Sequence, residues 1–387
     1  MPNSNSWPLK SYQPIRLVYQ LCCVSAIVAR FPIWLVRFGL FRCLRPHPQW
    51  TLKQSIMIRL IRLIVNAQSH VGISDPITLK PGAEKERFEV IRPFLKEFYQ
   101  GPLDSTVAPT TIGGTWYPNV TRGRSVGSND YVILHLHGGA YVTGNGRDAS
   151  LGFLANTLVK YAGAVAIFAP QYRLSGYDNT NPFPAALQDA LTSYLHLVRT
   201  LDIHASSIVV SGDSAGGNLA IAFLRYLSEY GKELNIPNPR SAVLLSPWVS
   251  PLNALGADVT YTSNPYYSTD YLPSEFTRWG AITYIGSNLA SDPYITPLGN
   301  PFVTPVPMFV NTGAIEMLNI DGTQWLKEMT REKGNTIHYE YEPVAPHDTL
   351  LIGYMSGWED SARNVSVKIG EFIRSTDISL YSRYKEV

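Results

Sequence analysis

At 387 residues the chain exceeds the usual size of one domain, so a large core with a smaller lobe is expected. Hydrophobic residues make up 45% and charged residues 16%, which fits a packed globular protein and excludes a disordered one. The formal net charge of +2, with no long single-sign run beyond the N-terminal region, argues against nucleic acid as a partner.

The chain opens on an unusual segment. Leu17 to Ala29 is an uncharged, mostly apolar stretch of 13 residues between Arg16 and Arg30, with Pro32 just beyond. As a helix it spans about 20 Å at 1.5 Å per residue, short of the roughly 30 Å hydrocarbon core of a bilayer. A second apolar patch, Ile33 to Leu44, is broken by Arg37 and Arg42. Ser55 to Val65 then carries a helical pattern with Ile56, Leu60, Ile61 and Ile64 on one side, and Arg59 and Arg62 off that stripe. Three readings stay open: a helical lid over the mouth of a pocket, a lid that also seats in the membrane interface with its arginines snorkelling, and a spanning anchor. A cleaved signal peptide is disfavoured, because the apolar core begins late and no clean small-x-small site follows. All three cysteines, Cys22, Cys23 and Cys43, fall here, so neither a disulfide scaffold nor a cysteine metal site is expected.

A polar linker around Gly101 to Pro109 precedes a regular alternation. Short apolar runs at Tyr131–Leu136, Ala164–Ala169, Ser207–Ser211, Ala242–Ser246, Pro307–Asn311 and Thr336–Tyr341 are nearly continuous. Strands buried on both faces of a parallel sheet have that composition. Helical patterns at Leu151–Tyr161, Phe183–Leu201 and Ala215–Tyr230 lie between them, which predicts an α/β fold with a mostly parallel, doubly wound sheet. Between Ser246 and Met308 no good strand is found, and Tyr261, Tyr266, Tyr267, Tyr271, Trp279 and Tyr284 crowd the interval. It reads as a partly helical excursion from the sheet, whose aromatic residues either line an apolar pocket or pack the excursion onto the body. The expected division is a helical cap over residues 1–105 and a catalytic domain over 106–387, with a cap insertion at about 249–300.

Gly212-Asp-Ser214-Ala-Gly216 stands between an apolar strand and an amphipathic helix bearing Leu219, Ala222, Phe223 and Leu227. That context makes a nucleophile elbow: the glycines relieve a turn too sharp for side chains, and the helix N-terminus favours developing negative charge beside Ser214. His135-Leu-His137-Gly-Gly139-Ala140 follows the strand ending at Leu136. Gly138 and Gly139 let backbone amides turn toward an oxyanion, with the Ala215 amide as a third donor. His137 is expected to hold this loop in place. A metal site at His135-x-His137 lacks an accompanying carboxylate or cysteine cluster.

Of eight histidines, His347 alone lies in a loop after the last predicted strand, in Pro346-His347-Asp348. An acid must fall between Ser214 and His347, after the strand at Pro307–Asn311. Glu316 is preferred and Asp321 is the runner-up. Asp348 is set aside, because an adjacent residue cannot readily reach the His347 ring.

With these residues in hand, the chain resembles the hormone-sensitive-lipase-like branch of the α/β-hydrolases. His137-Gly-Gly-Ala140 is similar to that branch's HGGG signature, and Gly212-Asp-Ser-Ala-Gly-Gly217 to its GDSAGG elbow. Tyr172-Arg-Leu174, with Phe183-Pro-Ala-Ala-Leu187 and Asp189, resembles its YRLAPE and FPAAL segment. The likeness covers roughly residues 107–375. Arg45-Pro-His-Pro-Gln-Trp50 after the basic apolar N-terminus is similar to fungal members, some of which are implied to remove acetyl groups from sterols or secondary metabolites. There are departures: Ala140 replaces the third glycine, Glu316 replaces the usual aspartate, Ser175-Gly176-Tyr177 replaces APE, and Asp348 follows the histidine where an apolar residue is usual.

The resulting expectation is a serine carboxylic-ester hydrolase with Ser214 as nucleophile, His347 as base and Glu316 as acid, acting on a hydrophobic ester that carries a short acyl group. No metal or organic cofactor is needed. An amidase or acyltransferase on the same residues is the alternative, and a ligand-binding receptor on a dead hydrolase would be expected to have lost Ser214 or His347. A membrane surface is a second partner if the N-terminal segment seats there, with an intracellular, endoplasmic-reticulum-associated setting. Two sequons, Asn119-Val-Thr121 and Asn364-Val-Ser366, read as chance occurrences.

Overall fold

The computed structural model describes residues 6–118, 130–256 and 262–383 of the chain, so the sequon at Asn119 and Tyr261 lie outside the described residues. Two long helices come first, α1 (Ile15–Leu40) and α2 (Leu52–Val71). The strands are β1 (Phe88–Ile91), β2 (Ile112–Tyr117), β3 (Val132–Leu136), β4 (Ala166–Gln171), β5 (Ile208–Asp213), β6 (Ser241–Leu245), β7 (Met308–Gly313) and β8 (Ile337–Glu342). They form one sheet in the order β1-β2-β4-β3-β5-β6-β7-β8. β3 to β8 are parallel, while β2 runs antiparallel to both β1 and β4.

Every residue of β3 to β7 is buried, which is the physical origin of their unbroken apolar runs. Side chains still alternate in direction. Ile133, Ile167, Val209, Val243 and Phe309 pack on one face with α3 (Asp148–Thr157) and the C-terminal helix. Leu134, Phe168, Val210, Leu244 and Val310 pack on the other, with α4 (Ala185–Leu195) and α5 (Ala215–Tyr226). The interval between β6 and β7 holds α6 (Pro251–Ala254) and α7 (Ser274–Ile285) and no strand among the described residues. α8 (Asn319–Arg331), α9 (Thr349–Ser356) and α10 (Glu359–Arg383) complete the fold.

Three features differ from expectation. β1 and β2 were not anticipated, because β1 is short and β2 contains two glycines that erase its apolar pattern. With β1 in the sheet at Phe88, a division at residues 105/106 cuts through the sheet rather than before it. Pro32 also fails to end the first helix. It lies inside the 26-residue α1, which is about 39 Å long at 1.5 Å per residue. The missing amide costs a single hydrogen bond, and packing beyond it restores the path: Phe38 is buried, and Arg45 donates from Nε to the Phe38 carbonyl at 2.9 Å.

α2 starts cleanly. Thr51 and Gln54 form a reciprocal capping box, and Gly72 closes the helix in the left-handed conformation. Trp50, immediately before the cap, is buried and donates from its indole to the Val344 carbonyl at 2.8 Å. This bond ties the base of the helical hairpin to the segment leading into His347.

Candidate active site

The elbow is sharp. Ser214 has φ 50° and ψ −115°, a left-handed strain for a non-glycine residue, held between the end of β5 and the start of α5. Its amide donates to the Leu245 carbonyl at 2.8 Å and its carbonyl accepts from Trp248 at 2.9 Å, so the bend is pinned on both sides. A Cβ on Gly212 would lie 2.1 Å from the Gly216 carbonyl oxygen, and one on Gly216 would lie 1.9 Å from the Leu136 carbonyl oxygen. Neither position has room for a side chain. Ser214 itself is only half-buried, whereas Asp213 and Ala215 beside it are fully buried.

The loop after β3 faces this bend, with one change from expectation. The Gly138 amide is already spent: it donates to Asp213 Oδ1 at 2.8 Å. It cannot also point at an oxyanion, so Gly138 is corrected from donor to anchor. Among the described residues, the amides of Gly139, Ala140 and Ala215 donate to no acceptor in the chain. Ala140 takes φ 51° and Tyr141 φ 64°, which is how the loop turns after its anchor. The departure from a third glycine is thus accommodated by a strained alanine.

His137 sits under the loop. Its ring stacks on Tyr172 at 4.1 Å, and its Nδ1 is 2.7 Å from the Gly138 carbonyl. Burial pulls its pKa down to about 4, against the opposing pull of that carbonyl and of Asp213, so the ring is neutral near pH 7 and Nδ1 donates. His135 spends both ring nitrogens, one on Ser211 at 3.0 Å and one on Asp213 at 3.1 Å. The two histidine rings therefore serve different partners, and no cluster of three or more metal-ligating side chains occurs among the described residues.

His347 and Glu316 come from the ends of β8 and β7. Both are buried, and His347 Nδ1 lies 3.6 Å from Glu316 Oε2, within ion-pair range but longer than a hydrogen bond. Glu316 Oε2 accepts from the Ser246 hydroxyl at 2.6 Å and from the Gly313 amide at 3.1 Å. Asp321 is elsewhere: its carboxylate accepts from Ser250 and from Asn253, at 3.1 Å for the latter. Burial alone would lower the His347 pKa, but the Glu316 carboxylate, backed by Asp270 and Asp213, outweighs it and raises the value above that of an ordinary histidine.

Three groups around this site carried no usable sequence signal. Ser246 links Glu316 to the His347 loop by accepting from the Asp348 amide at 3.2 Å. Asp270, in the insertion, is fully buried and accepts from the amide of Met317, the residue after Glu316, at 2.6 Å. Asp348, set aside as the acid, has other partners. It caps α9 through Leu351 at 3.2 Å and faces Asp213 in a buried carboxyl pair. Burial and the charge on Asp213 push Asp348 well above the usual carboxylate range. Burial opposes ionisation of Asp213 as well, but bonds from His135 and the proton on Asp348 offset it and hold that carboxyl below its usual value.

The insertion closes over these elements. The α7 backbone at Gly280 touches Ala140, where a Cβ would lie 2.2 Å from the Ala140 carbonyl oxygen. Tyr284 of α7 stacks on Tyr141 at 3.6 Å, and Tyr271 lies 5.7 Å from the His347 ring, centroid to centroid.

Known proteins share this fold. A family model described as alpha/beta hydrolase fold matches residues 133–351. An acetyl-hydrolase of Streptomyces hygroscopicus is 30% identical over 215 residues, covering 56% of this chain and 67% of that protein. Steryl acetyl hydrolase 1 of Saccharomyces cerevisiae is 21% identical over 249 residues, covering 61% of this chain and 57% of its own length. The crystal structure of a hormone-sensitive lipase from a metagenome library superposes with a TM-score of 0.54 at 25% identity, over 67% of this chain and 82% of that one. The chain belongs to the α/β-hydrolase fold family, within its hormone-sensitive-lipase-like branch of carboxylesterase-like hydrolases.

Proposed function

We propose that the protein hydrolyses a hydrophobic carboxylic ester through an acyl-enzyme on Ser214. His347 takes the Ser214 proton as Oγ attacks the ester carbonyl carbon, and the amides of Gly139, Ala140 and Ala215 receive the oxyanion. Glu316 holds the imidazole by Nδ1 and balances the imidazolium. The carbon–oxygen bond to the alcohol then breaks, and His347 returns the proton to the departing oxygen. Water, deprotonated by the same ring, attacks the acyl-enzyme and releases the acid. The observation that carries this reading is the half-exposed Ser214 on a strained bend, together with the Gly139, Ala140 and Ala215 amides, which donate to no acceptor among the described residues.

The acyl group is short in this reading, an acetyl ester of a bulky sterol-like or secondary-metabolite alcohol. Its support is the naming of two relatives as acetyl hydrolases, together with the aromatic insertion over the site. α1 is assigned to a membrane interface, in an intracellular, endoplasmic-reticulum-associated setting. Leu17, Leu21, Val24, Val28 and Val36 are exposed along α1, and only 6% of its most apolar window is buried. An interfacial helix would hide this surface in the headgroup and acyl boundary.

Labelling with a fluorophosphonate probe, followed by p-nitrophenyl esters of rising chain length, tests the reading. Labelling lost in Ser214→Ala, with acetate or butyrate preferred, is the expected result. Labelling that survives Ser214→Ala rejects the nucleophile, and a preference for long acyl chains rejects the acetyl assignment.

A further inference from the structure

The first 74 residues contain nine Lys and Arg and no Asp or Glu, although the whole chain is nearly balanced. Four of these arginines are gathered at one place. α1 and α2 pack as a hairpin, and between the C-terminal half of α1 and the N-terminal half of α2 lies a pocket of about 360 Å³ lined by Arg30, Arg37, Arg59 and Arg62 together with Trp34 and Phe38. The spacing explains the convergence. Arg30, Trp34 and Arg37 recur at helical intervals on one side of α1, and Arg59 and Arg62 do so on α2.

Arginines so close normally share a carboxylate, and among the described residues none lines this pocket. Arg62 is fixed by donating to the carbonyls of Tyr267 and Asp270 at 2.6 and 2.8 Å, with its guanidinium 3.9 Å over the Tyr267 ring. Among the described residues, no acceptor takes a hydrogen bond from Arg30, Arg37 or Arg59. Arg59 is partly buried, and burial together with the charges of Arg62 and Arg37 lowers its pKa. A half-enclosed set of guanidinium forks with mutual repulsion and no counter-ion is built for an external anion. Phosphate oxygens match such forks bidentately.

We propose that this pocket binds the phosphate of an anionic glycerophospholipid headgroup. The choice of a lipid over a soluble phosphate follows from its surroundings. The same stretch of α1 exposes Ile33, Leu35, Val36 and Leu40, which places acyl chains beside the pocket. Trp34 lies in the pocket wall, and tryptophan favours the headgroup level of a membrane. The proposal rests on the reading of α1 as an interfacial helix and adds to it a specific headgroup contact.

Flotation of the full-length protein with vesicles separates the two claims. Binding to neutral phosphatidylcholine vesicles reports the interfacial helix, and the gain on adding phosphatidylglycerol reports the pocket. Each arginine near an anionic surface is worth about fivefold in affinity. Arg37→Gln/Arg59→Gln is therefore expected to lose roughly twenty-fold of the phosphatidylglycerol-dependent gain, with neutral binding retained. Arg59→Lys, which keeps the charge but loses the fork, should fall between this double variant and the wild type. Arg16→Gln/Arg42→Gln removes the same charge from α1 and its C-terminal flank outside the pocket, and should cost far less. Equal losses from the two double variants would overturn the site in favour of diffuse charge, as would a wild type with no preference for phosphatidylglycerol. The pocket variant should melt no lower than the wild type, because it removes repulsion; a large fall in melting temperature would make these arginines structural and overturn the proposal. Stabilisation of the wild type by inorganic phosphate, lost in the pocket variant and unaccompanied by vesicle preference, would assign the site to a soluble phosphate and reject the lipid.

Discussion

Two buried carboxyl arrangements set the chemistry of individual residues. Glu316 raises the His347 pKa above the ordinary histidine value, so in the proposed mechanism the neutral base is present only above that raised value, and kcat/KM should climb through it. Glu316→Gln removes the charge while keeping the shape. The expected result is a fall in kcat of about 10⁴-fold, the scale of losing the orienting carboxylate, with the residual kcat/KM profile shifted to lower pH. A pH–rate profile checks this, and an unmoved midpoint would mean that Glu316 does not act on His347. The Asp213–Asp348 pair gives a separate prediction about stability. Because the folded pKa of Asp348 is raised, its contribution is fully present below the unfolded value near 4 and drains away as pH rises toward the folded value. Asp348→Asn keeps a donor toward Asp213 without that titration. Its melting temperature should exceed the wild type at pH 8, with the gap narrowing toward pH 4. A variant less stable than the wild type at pH 8 would show that Asp348 is needed as an anion.

At the level of elements, the insertion positions the proposed oxyanion loop as much as it covers it. α7 approaches so closely at Gly280 that any added carbon meets Ala140, and the Tyr141–Tyr284 stack fixes the same contact from the loop side. Gly280→Ala should therefore displace the Ala140 amide. Overpacking of this kind costs about 1–3 kcal/mol in stability, but misplacement by about 1 Å at a reacting centre costs on the order of 10²-fold in rate. Activity should fall far more than stability, measured by kcat/KM beside chemical denaturation; a loss of stability with full activity would sever α7 from the loop. This coupling was invisible in sequence, whereas the elbow was plain in it. Gly212-Asp-Ser-Ala-Gly216 encodes a local turn whose neighbours are fixed by chain connectivity. The spent amide of Gly138 depends instead on Asp213, 75 residues away, and Gly280 touches Ala140 across a separation nearly twice as long. The parallel strands were legible because burial on both faces imposes a composition. β1 and β2 were not, because one is a short edge strand and the other carries glycines.

Across the whole molecule, the continuity of α1 through Pro32 has the widest consequence. The uncharged stretch from Leu17 to Ala29 alone spans about 20 Å, short of a bilayer core. Kept within α1, it yields a helix of about 39 Å with its apolar side unpaired, attached to the body through α2, Trp50 and Arg62. The segment that Arg62 holds, Tyr267 to Asp270, leads directly into Tyr271 beside His347, so the hairpin connects a surface to the proposed reaction centre. Replacing Val24, Val28 and Val36 with serine tests that role. These side chains are exposed and contribute little to folding, so hydrolysis of a soluble p-nitrophenyl ester should stay close to the wild-type rate. Burying a valine-sized side chain is worth about 1.5 kcal/mol or more, and half of that for three partly seated residues still amounts to about 2 kcal/mol. Partition onto vesicles should therefore fall by roughly thirty-fold, and hydrolysis of an ester dissolved in those vesicles should fall with it. If turnover of the vesicle-borne ester is unchanged while that of the soluble ester drops, α1 serves the pocket as a lid and has no part in reaching the substrate in its membrane.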